Sequence, residues 1–141
     1  MAEDRLLYTT TVHNDQGMKG TAWVEGDDGL RVATSSPLKT SDPGTNPEQL
    51  IALSWATCLN ATIEIALDRH QLEGIKSEVV VKVDYKKEAE TTLTYFAFLV
   101  DVYIDLAADQ AQAIVAEAEA RCPVSRIIGD YEHVTLNIHS H

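Results

Sequence analysis

Between Leu50 and Ile63 the chain carries no charged side chain. The residues just before this run open like a helix. Asn46 can accept hydrogen bonds from the first free amides, Pro47 suits the first helical position, and Gln49 completes a possible capping box. A helix that is apolar almost all round must be covered by protein on most sides, so this stretch predicts the central element of a core. The uncharged run itself is too short to span a membrane. The helical pattern continues through Glu64, Asp68 and Arg69, and Gly74 is placed to close it in a left-handed cap.

The segments on either side predict the rest of the fold. Leu6 to His13 is rich in β-branched and aromatic residues and predicts an opening strand, followed by a turn at Asn14-Asp15-Gln16-Gly17. Thr21 to Glu25 and Leu30 to Thr34 flank Gly26-Asp27-Asp28-Gly29 and predict a hairpin. Ser35 to Gly44, with Pro37 and Pro43, reads as a loop. Val79 to Tyr85 alternates as a half-buried strand does, Lys86 to Thr92 is a polar hairpin loop, and Tyr95 to Asp105 repeats the alternation with Phe96, Phe98, Val100, Val102 and Ile104 inward. Asp109 to Arg121 predicts a second helix, and Pro123 to Ile128 a short third one with Cys122 at its amino-terminal cap. Val134 to Ile138 closes the chain as a strand. Strands, helix, strands, helices, strand is an α+β order rather than a βαβ winding.

A chain of 141 residues, 45% hydrophobic and 23% charged, suits one globular domain over 1–141. Its formal net charge of -11 repels phosphate backbones and anionic membranes, so neither nucleic acid nor a membrane is an expected partner. The polar, acidic start, Met1 to Arg5, has none of the build of a secretory signal, and the expectation is a cytoplasmic protein.

In a reducing compartment the two cysteines, Cys58 and Cys122, are not expected to form a permanent staple, and their spacing is not that of a zinc site. They are either a transient redox pair or two inert thiols. Cys58, in the middle of an apolar helix, has burial to raise its pKa and no cation of its own. Cys122 meets free amides at a helix amino terminus, which favours its thiolate, although a cysteine before proline also serves as a plain cap.

Asn46-Pro47-Glu48-Gln49-Leu50 followed by Cys58 resembles the Ohr version of the reactive-cysteine motif in the OsmC/Ohr family of thiol-dependent organic hydroperoxide reductases. Cys122-Pro123-Val124-Ser125 resembles the OsmC version of the second cysteine motif. The separation of 64 residues and the order of elements match that family over essentially the whole chain. The resemblance implies an OsmC-like fold of antiparallel sheets around a central buried helix, in an intertwined homodimer with sites at the subunit interface. It implies that Cys58 is the peroxidatic cysteine, Cys122 the resolving cysteine and Glu48 a carboxylate of the site. It implies an alkyl or fatty-acid hydroperoxide as substrate and an external dithiol, such as a dihydrolipoyl group, as reductant, with no metal or organic cofactor. Where the family has a loop arginine, residues 14–20 offer Lys19; Arg31 and Arg126 are the other cation candidates.

Helical rise separates Glu48 from Cys58 by about 15 Å along one axis, so any Glu48 pairing serves the partner subunit's site or works through a long intermediary. Trp55 and Leu59, one turn either side of Cys58, are candidates to line an acyl pocket or to pack the core. His139 and His141 share one face of the last strand as a solvated pair rather than a metal site. Two rivals share the fold without the catalysis: a small-molecule or lipid-binding module, and a redox-sensing partner protein.

Overall fold

The computed structural model describes residues 2–39 and 42–140, so His141 lies outside the described residues. The chain forms two compact units, Met1–Pro47 and Glu48–His141.

The first unit is a three-stranded antiparallel sheet of β1 (Val12–Asn14), β2 (Thr21–Val24) and β3 (Arg31–Ala33), in that spatial order. The hairpin expected around Gly26 and Gly29 is β2–β3, and Trp23 faces His13 on one side and Arg31 on the other. The opening strand is shorter than its composition predicts: the Thr11 carbonyl still accepts from the Glu25 N–H at 2.8 Å, but Leu6 to Thr10 pairs with no strand of the chain among the described residues. Leu6, Leu7 and Tyr8 are each 79% exposed. Strand-forming side chains do not make a strand without a neighbour to receive the backbone hydrogen bonds. Asn14 builds the following turn with its own side chain, accepting from the Gly17 N–H at 2.7 Å and donating to the Gly17 carbonyl at 3.0 Å. Thr34 Oγ1, just past β3, donates to the Gly17 and Gly20 carbonyls, so the loop that carries Lys19 is held at both ends.

The second unit is built on α1 (Pro47–Arg69), a single helix of 23 residues. It is longer than the uncharged run that announces it, and by length and composition alone it could cross a membrane. Here it buries Trp55, Leu59, Ile63, Ala66 and Leu67 along one stripe at helical spacing. The sheet beneath has β5 (Thr94–Ile104) in the centre, flanked by β4 (Ser77–Lys87) and β6 (Val134–Ser140). Register aligns three apolar rows across all strands: Val79, Val102 and Ile138; Val81, Val100 and Leu136; Val83, Phe98 and Val134. α2 (Ala108–Arg121) adds Ala111, Ile114, Val115 and Ala118 to the same core.

The order is α+β, as expected, with one qualification. β4 and β5 are antiparallel, but β6 returns parallel to β5, because α2 and α3 (Pro123–Ile128) carry the chain back over the sheet. The expectation of purely antiparallel sheets, without any βαβ winding, is therefore corrected at this one crossover. His139 is also more engaged than a solvated tail: it pairs with Asp101 at 2.8 Å and stacks on Tyr103.

The open side of α1 departs from the expectation of cover on most sides. Leu53 is 62% exposed and Ile65 56%, and with Thr57 and Ala61 they form an exposed stripe at four-residue spacing. The helix also ends earlier than Gly74. Gln71 adopts the left-handed conformation at φ 61°, the Leu72 N–H donates to Leu67 O at 2.8 Å and the Gln71 N–H to Asp68 O at 3.0 Å. That is a Schellman closure with a non-glycine residue at its left-handed position, while Gly74, at φ 84°, serves the turn that follows. Left-handed backbone costs an L-residue about 1–2 kcal/mol, and glycine gives back part of that in chain entropy. Gln71→Gly is expected to stabilise the protein by about 0.5 kcal/mol in urea titrations, and Gly74→Ala to destabilise it; the reverse ranking would return the cap to Gly74.

Candidate active site

Cys58 sits in the middle of α1 and Cys122 at the junction of α2 and α3. Pro123 forces that junction, since it cannot continue the α2 hydrogen-bond ladder yet fits the first turn of α3. Cys122 takes extended backbone angles, closes α2 by donating its N–H to the Ala118 carbonyl, and caps α3 by accepting from the Ser125 N–H through its sulfur at 3.4 Å. The two thiols meet with their Sγ atoms 3.1 Å apart. The sequence demand that sulfurs 64 residues apart come within bonding range is thus satisfied inside one unit.

The two sulfurs are not equivalent. Cys122 is fully buried, whereas Cys58 is half-buried, so a molecule from solvent has better access to Cys58. Their acidities run the other way. Burial pushes the Cys58 thiol up; the Val124 N–H is the main pull against it, but Cys122 presses in the same direction as burial, and the Thr62 hydroxyl adds only the smallest opposing pull. For Cys122 burial is again the largest single influence. It is outweighed by the Ser125 hydroxyl, the Ser125 N–H, the neighbouring Cys58 and the Val124 N–H, and the thiol lies below its ordinary value. Two sulfurs at this distance cannot both ionise easily, so they titrate as a pair and the first negative charge falls on the side with more donors, Cys122.

Ser125 is the residue that sequence reading missed. Its side chain is buried and accepts the Trp55 Nε1–H at 2.8 Å, across 70 residues of chain. The signal was present in Cys122-Pro123-Val124-Ser125, where Ser125 lies three residues past the cap, but nothing local names Trp55 as its partner. Trp55 and Leu59, offered as pocket lining, both have 0% exposure and belong to the core. The accessible apolar surface beside α1 is a groove lined by Gln49, Ala52, Leu53, Ala56 and Val81.

Glu48 stands in the first turn of α1, half-buried, and the unbroken helix keeps it about 15 Å from Cys58 along the axis. The cation candidates fall in different places. Lys19 is exposed at the end of a 3-10 turn, Gly17–Lys19. Arg31 lies over the Trp23 ring, 4.9 Å from its centroid, and donates to Thr21 Oγ1 at 3.1 Å. Arg126 is exposed on α3 in a groove shared with Glu119 and Asp130. Among the described residues no basic side chain is one of the groups that set the acidity of either sulfur. Among the described residues no group of three or more His, Cys, Asp or Glu is arranged to hold a metal.

With this geometry in hand, comparison with known proteins is specific. The OsmC-like protein family matches residues 39–137. An organic hydroperoxide resistance protein-like chain of Mycoplasma pneumoniae is 32% identical over 138 residues, covering 94% of this chain and 96% of that one. A solved Lactobacillus casei structure superposes with a TM-score of 0.84 at 37% identity, over 98% of this chain and 94% of its own. The organic hydroperoxide resistance protein OhrB of Bacillus subtilis superposes with a TM-score of 0.80 at 27% identity, over 96% and 100%.

The sulfur apposition makes a direct prediction. Treatment of the reduced protein with diamide is expected to remove both titratable thiols and yield one intramolecular disulfide by peptide mass mapping. Closing a loop of 64 residues is expected to raise the unfolding free energy by about 4 kcal/mol in urea, reduced against oxidised. Two thiols that stay titratable would contradict the apposition.

Proposed function

The chain belongs to the OsmC-like protein family, and on that premise we propose that it is a thiol-dependent peroxidase that reduces organic hydroperoxides to alcohols. The observation that carries the reading is the pair of free sulfurs at 3.1 Å, one accessible and one held by donors. The family names attached to its relatives support the substrate class.

The reaction needs the following steps. The pair sheds one proton, and its charge needs to move only between adjacent sulfurs to reach Cys58. The Cys58 thiolate attacks the terminal oxygen of the hydroperoxide, the O–O bond breaks, and the alkoxide leaves and takes a proton as the alcohol. Cys58 is then a sulfenic acid. The Cys122 thiolate attacks its sulfur, the S–O bond breaks, and water leaves. An external dithiol, for which a dihydrolipoyl group is the first candidate, returns two electrons and restores both thiols. That step suits a reducing compartment and hence a cytoplasmic location. Among the described residues no cation acts on Cys58 in the single chain, and in this reading Lys19, Arg31 or Arg126, together with Glu48, completes the site in a homodimer.

Two features favour a second copy as the missing cover. The α1 stripe of Leu53, Thr57, Ala61 and Ile65 is exposed in the single chain, and burying each large apolar side chain is worth roughly 1.5–3 kcal/mol. Leu6 to Thr10 has strand composition and no strand partner among the described residues.

Turnover of cumene hydroperoxide with dihydrolipoamide is the decisive assay. The wild type is expected to turn over, with hydrogen peroxide slower. Cys58→Ser is expected to lose essentially all activity, and Cys122→Ser to stop after one equivalent and then overoxidise. Full turnover by Cys58→Ser would end the proposal. Sedimentation is expected to give a dimer for the wild type and monomer for Leu53→Glu, since a carboxylate buried without a partner costs several kcal/mol.

A further inference from the structure

We propose that Trp55 and Ser125 are a positioning pair: the indole N–H holds Ser125 Oγ so that its hydroxyl proton rests on Cys122 Sγ, which makes Cys122 the sulfur that attacks oxidised Cys58 and that departs when the disulfide is reduced.

An indole N–H can only donate, and Trp55, at 0% exposure, has Ser125 Oγ as its acceptor at 2.8 Å. A serine hydroxyl beside a sulfur can turn either way, giving its proton to a thiolate or accepting one from a thiol. With the indole donating into one of its lone pairs, the Ser125 oxygen is polarised toward donation, and the inferred acceptor of its proton is Cys122 Sγ, whose thiolate that side chain favours. The Ser125 backbone N–H is fixed on the same sulfur at 3.4 Å. Two donors from one residue therefore converge on Cys122, and that residue is itself anchored from α1 by Trp55. On Cys58 the opposing donors are the Val124 N–H and Thr62, whose hydroxyl also gives its proton to the Cys58 carbonyl at 2.8 Å, and together they do not offset its burial.

The consequence reaches both halves of the cycle. In condensation, Cys122 must attack as a thiolate, and the Ser125 proton stabilises that form. In reduction, a dithiol thiolate attacks one sulfur and the other departs, and the sulfur of lower pKa departs faster. Half-buried Cys58 is the sulfur open to attack, so Cys122 is the leaving group. The S–S bond breaks, Cys122 leaves as a thiolate, and the mixed disulfide on Cys58 is resolved by the second thiol of the reductant, which is oxidised by two electrons. This rests on the peroxidase reading for its place in the cycle, but not for its test.

Ultraviolet thiolate titration of Cys122 in a Cys58→Ser background is expected to move to higher pH with Ser125→Ala and with Trp55→Phe, and to return with Ser125→Thr, which keeps the hydroxyl. In the two-cysteine protein, mixed with one equivalent of tert-butyl hydroperoxide, Ser125→Ala is expected to slow disulfide formation about tenfold, equivalent to about 1.4 kcal/mol, while the sulfenic-acid phase becomes no slower. Circular dichroism checks that each variant is folded, and Ser125→Ala decides the matter if Trp55→Phe does not fold. Superimposed titrations, or both phases slowed alike, would overturn the positioning role. If hydroperoxide is never consumed, the peroxidase reading fails while the titration still judges the pair.

Discussion

A buried indole N–H left without an acceptor costs about 1–3 kcal/mol, and the way Trp55 avoids that cost organises the site. Its bond to Ser125 ties the middle of α1 to the first turn of α3. Cys58 lies three residues after Trp55, and Cys122 three residues before Ser125, each about one helical turn from the tie. Because both helices are rigid over that distance, fixing one bond sets the sulfurs side by side at 3.1 Å. The same tie is sealed by the aromatic edge of Phe98 against Trp55, at 5.4 Å between ring centroids, which joins the site to the central strand β5.

Among the described residues, the groups that favour a thiolate on these sulfurs are hydrogen-bond donors and none is a cation. Donors from a backbone turn and a serine lower the acidity threshold of Cys122, while Cys58 remains the higher of the two. The division matters chemically, since the sulfur that a molecule from solvent can reach need not be the one that holds the resting charge. Access and charge sit on different atoms separated by a single contact. On the outer side of α1 the balance is reversed, with apolar side chains facing solvent and no core to receive them.

Most elements were legible before the structure because their signals are local. The alternation from Val79 to Tyr85 and from Tyr95 to Asp105 became β4 and β5, and Cys122-Pro123 marked the break between α2 and α3 to the residue. Where reading failed, the cause was a partner outside the local window. Leu6 to His13 has strand composition but only its end pairs, and composition cannot supply a neighbour. Gly74 looked like the helix cap, yet Gln71 took the left-handed turn because Leu72 packs back over Leu67 in the same apolar cluster. The parallel return of β6 was invisible for a similar reason, since its sequence alternates identically in either direction.

By itself the amino-acid sequence determined most of which segments are helix or strand, which faces are apolar, and that one cysteine lies within α1 and the other at the α2–α3 break, because propensity, periodicity and the geometry of proline act within a few residues. Tertiary structure decided what those cysteines are. Whether Cys58 is exposed or sealed, which sulfur is the more acidic, and that Trp55 stands behind Ser125 are all set by contacts between residues far apart in the chain. Acidity and access depend on what surrounds an atom in space, and that is settled only when the helices close on one another.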